Sequence, residues 1–173
     1  TSARLKTQGL QEFQYGRIEA RIKVPAGAGL WPAFWMLGAS FNGSNWPDCG
    51  EIDIMEYVGR EPDLILGTAH GPGYSGALGI SQWNRQEYNI ADEFHTYAIE
   101  WEAGQIRWYY DGDHYFTLNR ADVGDREWVF DRPFFMILNL AIGGTLGGVI
   151  GLDTAFPSQV QVDYVRVFQA ANP

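Results

Sequence analysis

The 173 residues carry 12 Lys and Arg against 21 Asp and Glu, a formal net charge of −9, and include seven Trp, nine Tyr and ten Phe. That length suits one domain with a sizeable core, so we expect a single domain over residues 1–173. The acidic balance, with no basic run, disfavours nucleic acid and polyanionic polysaccharides as partners, and no stretch is apolar enough to cross a membrane. The aromatic surplus favours a neutral partner with flat apolar faces, such as a sugar polymer, with a large aromatic core as an alternative of equal weight.

Alternation of polar and apolar residues is the dominant signal along the chain and predicts β-strands. In RIEARIKV the apolar residues share one face: Ile18, Ala20, Ile22 and Val24. The segment TYAIEWEAGQIRWYYDG predicts a hairpin that turns at Ala103-Gly104. The segment PFFMILNLAIGG, apolar on both faces except at Asn139, predicts a central strand, and VQVDYVRVF predicts a last strand. Without a convincing amphipathic helix, these short strands indicate an all-β sandwich.

The segment GEIDIMEYVG places three carboxylates, Glu51, Asp53 and Glu56, inside an otherwise apolar strand. Because side chains alternate along a strand, Glu51 and Asp53 point to one face and Glu56 points to the other. One extra residue in a β-bulge at Ile54-Met55 would return Glu56 to the face of Glu51. Bulges recur beside active sites because they re-aim side chains, so we predict one here.

Three acids on one face resist ionising together, so their pKa values separate. A retaining glycosidase uses that separation, because an ionised carboxylate attacks the anomeric carbon while a protonated one donates to the leaving oxygen. The spacing alone leaves two alternatives. One, of about equal weight, is a solvated acidic strand face; the other, less favoured, is a calcium site, which usually occupies an acidic loop with a glycine turn.

The chain resembles glycoside hydrolase family sixteen, in its bacterial laminarinase branch. The family signature Glu-x-Asp-x-x-Glu is present in GEIDIME. Five further segments are similar to family blocks and follow the family order: SARLKTQGLQEFQYGRIEARIKVPAGAGLWPAFWMLG, GTAHG, FHTYAIEWEAGQIRWYYDG, PFFMILNLAIGG and VQVDYVRVF. The resemblance covers nearly the whole chain.

This resemblance implies an all-β jelly-roll sandwich of two curved antiparallel sheets, with the substrate lying along the concave one. It implies retaining endo-hydrolysis of β-1,3-glucan, and also of mixed-linkage β-1,3-1,4-glucan, without a cofactor. By family position Glu51 would be the nucleophile, Glu56 the acid/base and Asp53 a helper that tunes the nucleophile. The extra residue, Met55, is typical of the laminarinase branch.

Five further residues are candidate substrate-binding positions. Trp31 and Trp35 look like the family's donor-side tryptophans, and Trp46 matches another cleft tryptophan. His70 in GTAHG matches a family histidine near the leaving-group side. Asn139 either faces the cleft or satisfies a neighbouring backbone group. Burial in the core is the alternative for Trp35, and a purely structural role is the alternative for His70.

The sequence departs from the family at its N-terminal side, where members usually contribute outer strands of both sheets and part of a structural calcium site. Asp163 matches the C-terminal ligand of that calcium site, but its upstream partners are not in this sequence. We therefore expect the last strand, Val160 to Phe168, to present an uncovered edge. A separate N-terminal chain or self-association through that edge would cover it, and we expect no stable isolated monomer.

Three functions compete on this sequence. The leading one is a secreted enzyme that hydrolyses neutral β-glucan, with secretion implied by the resemblance. The second is a sandwich that binds glucan without cutting it, and the third is an inactive fragment of such an enzyme. Both glutamates of the motif are intact, which favours the enzyme.

Overall fold

Residues 2–170 are described by the computed structural model, and within them eleven strands form two antiparallel sheets. The strands are β1 (Arg4–Lys6), β2 (Gly16–Lys23), β3 (Leu30–Gly38), β4 (Glu51–Tyr57), β5 (Leu64–His70), β6 (Ile80–Arg85), β7 (His95–Glu102), β8 (Gln105–Tyr110), β9 (Asp113–Asn119), β10 (Phe134–Ile142) and β11 (Gln161–Phe168). Among residues 2–170, helical structure is confined to α1 (Gly144–Gly147) and the 3-10 turns Gly76–Leu78, Ile90–Asp92 and Arg120–Val123. Within that range, no helix has the length and apolar character needed to cross a bilayer.

The two sheets differ in the number and order of their strands. The six-stranded sheet has the order β1-β10-β3-β4-β5-β6, and the five-stranded sheet has the order β11-β2-β7-β8-β9. The strand carrying the carboxylates, β4, is therefore an interior strand of the larger sheet, paired on both sides. The predicted all-β sandwich is confirmed.

Apolar residues that alternate along the strands fill the space between the sheets. In β2 the predicted inward residues Ile18, Ala20 and Ile22 are fully buried. The β7–β8 hairpin turns at Ala103-Gly104 as expected and buries one aromatic-rich face: Tyr97, Ile99, Trp101, Ile106, Trp108 and Tyr110. Burial of this apolar surface contributes about 25 cal/mol per Å² and holds the sheets face to face.

At one end of the sandwich the inner faces are open. The strand β10, expected to be central, pairs with β3 on one side and with the three-residue β1 on the other. The last strand, β11, forms an edge of its sheet and is mostly exposed. A cavity of about 530 Å³ lies between these edges, with Leu5, Leu138, Phe156 and Val162 in its lining. That another chain covers this edge remains a prediction.

Candidate active site

A bulge in β4 brings the three carboxylates to one face of the sheet. On the neighbouring strand β5, Thr68 pairs with Asp53 and Leu66 pairs with Glu56, so two residues of β4 lie opposite a single residue of β5. The register therefore shifts across Ile54–Met55, as the sequence predicted. Both bulge residues are buried, whereas Glu56 is partly exposed on the opposite face. The extra residue restores the parity that a regular strand would have broken.

Each glutamate of the motif accepts a hydrogen bond from an indole. Trp46 Nε1 donates to Glu51 Oε2 at 2.7 Å, and Trp31 Nε1 donates to Glu56 Oε1 at 3.1 Å. The two donors come from different parts of the chain, a loop before β4 and the start of β3. The sequence indicated these tryptophans as substrate-binding residues and gave no sign that their N–H groups donate hydrogen bonds to the carboxylates.

His70 joins the first two carboxylates. Its Nε2 lies 3.2 Å from Asp53 Oδ2 and 3.9 Å from Glu51 Oε1. The ring also lies beside Trp46, with centroids 6.0 Å apart. His70 thus lies among the carboxylates, and its role in substrate binding remains a prediction.

The other two predicted binding residues contact each other. Trp35 Nε1 donates to Asn139 Oδ1 at 2.7 Å, which answers the question left open for Asn139: its side chain turns to an indole rather than to a backbone group. The Arg4 guanidinium lies over the Trp35 ring, 4.7 Å from its centroid. Trp35 is partly exposed rather than in the core.

Residues that the sequence did not single out complete the surroundings of Glu56. Thr68 Oγ1 lies 3.5 Å from Glu56 Oε2, and Ser81 Oγ lies 3.2 Å from Thr68 Oγ1. The small side chain of Ala33 pairs with Glu56 on the β3 side. Thr68 lies two residues before His70 in GTAHG and pairs with Ser81 on the neighbouring strand, so only the strand register could have shown this contact.

Burial raises the pKa of all three carboxyls. The pKa of Glu51 rises to about 8 through burial and then through the charge of Asp53. The pKa of Glu56 rises to about 7 through burial, with His70 acting in the opposite direction. Burial and then the charge of Glu56 raise the pKa of Asp53 well above its usual range. The three groups therefore titrate as one set that keeps at least one proton near neutral pH.

A cavity of about 330 Å³ opens over this cluster. Its lining combines the three carboxylates with aromatic and small residues: Arg4, Trp31, Ala33, Trp35, Glu51, Asp53, Glu56, Asn139 and Ala141. A sugar ring bound here would meet flat aromatic faces and paired acids together. The arrangement suits acid/base chemistry at a glycosidic bond.

Two groups bear on metal binding. Glu51, Asp53 and His70 offer ligand atoms within 4.8 Å of one another, and they are the one such cluster that residues 2–170 contain. Two carboxylates and an imidazole suit a transition metal better than calcium. Asp163 does not belong to that cluster, and its Oδ2 pairs with Arg21 Nη1 at 2.8 Å. A calcium-binding role for Asp163 remains a prediction.

Comparison with known proteins agrees with this geometry. A family model for glycosyl hydrolases family 16 matches residues 1–166. The chain is 45% identical over 178 residues to a β-glucanase of Rhodothermus marinus, covering 98% of this chain and 62% of that protein. It therefore spans less than two thirds of that relative's length.

Solved structures show the same architecture. The endo-β-1,3-glucanase from Pyrococcus furiosus is 49% identical with a TM-score of 0.91, over 95% of this chain and 65% of that one. The laminarinase catalytic domain from Thermotoga maritima is 44% identical with a TM-score of 0.94, over 98% of this chain and 70% of that one. The predicted jelly-roll sandwich is thereby confirmed, and the chain belongs to glycosyl hydrolases family 16.

Proposed function

We propose that this chain is a retaining endo-β-1,3-glucanase that also accepts mixed-linkage β-1,3-1,4-glucan. The observation that carries the proposal is that the bulge turns Glu51 and Glu56 to one open face, each held by an indole N–H. The matched proteins support the substrate class, since they are named β-glucanase, endo-β-1,3-glucanase and laminarinase.

In the proposed reaction Glu51 attacks the anomeric carbon while Glu56 protonates the leaving oxygen. Retaining enzymes place the two carboxyl groups about 5–5.5 Å apart for this double displacement. In the second step Glu56 takes a proton from water, which attacks the glycosyl–Glu51 ester, and Glu51 leaves as a carboxylate. Trp31 stays hydrogen-bonded to Glu56 and fixes the direction in which its proton is presented.

In the free protein the pKa of Glu51 is about 8 and that of Glu56 is about 7. The nucleophile Glu51 therefore holds its proton more tightly than the acid Glu56, which is the reverse of what the proposed roles need. The contact between Glu51 and Asp53 raises the pKa of Glu51 and lowers that of Asp53, so the shared proton rests on Glu51 in the free protein. In the proposed reaction this proton passes to Asp53, which leaves Glu51 ionised for attack and stabilised by a donor. Positive charge that develops at the anomeric carbon further lowers the pKa of the group facing it.

The charge and shape of the cleft are in keeping with a neutral polymer. The cavity over the carboxylates is lined by residues of β1, β10, β3 and β4, so it runs across the strands, which suits a bound polymer. The net charge of −9 disfavours sulfated or uronic polymers. Because a long polysaccharide cannot enter a cell intact, we place the site of action outside the cytoplasm and propose that the protein is secreted.

The test is product analysis on laminarin, lichenan and agarose, with the anomeric configuration of the first product followed by NMR. We expect β-configured oligosaccharides from laminarin and lichenan and no products from agarose. Glu51→Gln and Glu56→Gln should each abolish most turnover while circular dichroism stays unchanged. Retention of laminarin on an affinity gel without any cleavage would instead identify a binding module, and neither retention nor cleavage would identify an inactive fragment.

A further inference from the structure

One row of paired residues crosses the whole six-stranded sheet through Glu56. Read from β1 to β6 by the strand registers, the row is Arg4, Asn139, Ala33, Glu56, Leu66 and Trp83. Directly opposed residues in antiparallel strands point to the same face of the sheet. Trp83 therefore lies on the face of the carboxylates, two strand spacings or about 10 Å from Glu56.

Trp83 is on the other side of Glu56 from the donor-side candidates Trp31 and Trp35. Those tryptophans are on β3, and Asn139, which contacts Trp35, is on β10, whereas Trp83 is on β6, beyond β5. Asn139 and Trp83 are thus each two strands from Glu56, in opposite directions along the same row. A polymer laid across the strands over Glu56 would pass over both.

The surroundings of Trp83 suit a neutral apolar face. Trp83 is 49% exposed, whereas Leu66, its partner on β5, is only 7% exposed. The one cation nearby on this strand face, Arg85, is neutralised by Asp63 and by Glu61, the latter at 3.2 Å. The exposed Ser81 lies two residues away on the same face. A large indole left half-exposed on an edge strand needs a reason, because edge strands usually carry charged or small residues.

We propose that Trp83 is a stacking platform for sugar rings of a neutral β-glucan on the leaving-group side of the scissile bond, an inference that rests on the proposed function. Glu56 protonates the leaving oxygen, so the sugars released in the first step lie on the side of Glu56 away from Trp35 and Asn139. The apolar C–H face of a pyranose fits the flat indole as another aromatic ring would. Trp83 thus acts as a substrate-binding residue and does not touch the reacting atoms.

Substrates of different length distinguish a binding role of Trp83 from an effect on the catalytic carboxylates. A long oligosaccharide reaches Trp83, whereas an aryl laminaribioside places only its small aryl group on the leaving side. Trp83→Ala should therefore lower kcat/KM for laminarihexaose between about twofold and tenfold, mainly through KM. The same variant should leave hydrolysis of the aryl laminaribioside unchanged, and Trp83→Phe should restore most of the loss because it keeps a ring.

Three further measurements test whether the effect is specific to Trp83. Phe168→Ala removes another half-exposed aromatic ring, 52% exposed, from an edge strand of the opposite sheet, and should change neither substrate. Calorimetric titration of laminarihexaose into Glu51→Gln, with and without Trp83→Ala, measures binding without turnover. Thermal melting of each variant reports whether the fold is kept.

Each result decides. Weaker hexaose binding with Trp83→Ala, together with the selective kinetic loss, supports the platform. Equal losses on both substrates, or no loss on either, overturn it. If the chain cleaves no glucan but binds laminarihexaose in a Trp83-dependent way, the proposed hydrolysis fails while the platform stands. If it neither cleaves nor binds, both fail.

Discussion

The indole Nε1 of Trp108 donates a hydrogen bond of 2.9 Å to the main-chain carbonyl of Asp53, at the point where β4 begins its bulge. Trp108 belongs to β8 of the opposite sheet and is fully buried, so the core itself holds the bulge in place. The residue facing the bulge, Gly67, must be small for the same reason. A Cβ there would lie 2.7 Å from Trp108 Cδ1 and 2.7 Å from Tyr115 Oη.

Trp108→Phe should therefore reduce activity as well as stability. Removing the donor leaves the buried carbonyl of Asp53 without this partner, at about 1–3 kcal/mol. The bulge would then relax and misplace Glu56, lowering kcat with little change in KM. A matched control is Trp101→Phe, because Trp101 Nε1 makes an equally buried 2.9 Å bond to the Phe130 carbonyl, away from the site. Both variants should lose similar stability in urea unfolding, and equal kcat in the two would contradict the role given to Trp108.

Shortening β4 tests the geometry of the bulge directly. Asp53 and Glu56 pair with Trp35 and Ala33, which are only two residues apart on β3. Deleting Met55 should give regular pairing with the same partners, so the protein should keep the carboxylates on one face and retain measurable activity. Its stability should fall by roughly 1.5–3 kcal/mol through loss of a buried Met side chain.

The matched control for that deletion is removal of Ile52, which lies in the regular part of the strand. This deletion would invert the facing of Glu51 relative to Asp53 and force an acid toward the core. We expect insoluble or inactive protein from it. Comparable activity in both deletion variants would show that the bulge does not set the carboxylate geometry.

The pH dependence should follow the hydrogen bond between Trp31 and Glu56. Glu56 donates its proton as the general acid, so kcat/KM should fall as pH rises through its pKa of about 7. The Trp31 N–H stabilises the ionised carboxylate and lowers that pKa. Trp31→Phe keeps a ring but removes the donor, so the fall of kcat/KM should occur at higher pH.

Trp35→Phe is the control for this shift, because the Trp35 N–H bonds to Asn139 and not to a carboxylate. In Trp35→Phe the fall of kcat/KM should occur at the same pH as in the unaltered protein. An identical shift in both variants, measured as kcat/KM on laminarin from pH 5 to pH 9, would show that the fall does not report Glu56.

Burying these carboxyls should also make the fold less stable at high pH. The pKa of Glu56 is raised from 4.5 to about 7 in the folded state, so folding is favoured by its protonated form. This contribution is fully present below about pH 4.5 and is lost as pH rises through about 7, on the order of 3 kcal/mol in all.

Glu56→Gln should abolish this loss of folding stability at high pH, because glutamine does not ionise. We expect the variant to be more stable than the unaltered protein at pH 8 and to differ little at pH 4.5, in urea unfolding at the two values. A difference that is the same at both pH values would mean that the pKa of Glu56 is the same in the folded and the unfolded protein.

Much of the fold follows from local patterns in the sequence. Alternation of apolar residues identified β2 and the β7–β8 hairpin, because successive side chains of a strand point to opposite faces and the buried face therefore shows as every second residue. The parity of Glu51, Asp53 and Glu56 was enough to predict a bulge, since a regular strand would have sent one acid to the opposite face. The chemistry of the site was predicted from the resemblance of GEIDIME to the family signature, because the spacing alone left a solvated acidic face as an alternative of about equal weight.

The tertiary structure alone decided how those residues meet. Which strands are neighbours, and in what register, depends on pairings between distant segments, so the row from Asn139 through Glu56 to Trp83 could not be read from the chain. The indole bonds of Trp31 and Trp108 likewise join residues 25 and 55 positions from their acceptors. The raised pKa values of the carboxyls arise from burial, which is a property of the packed sheet and not of the motif.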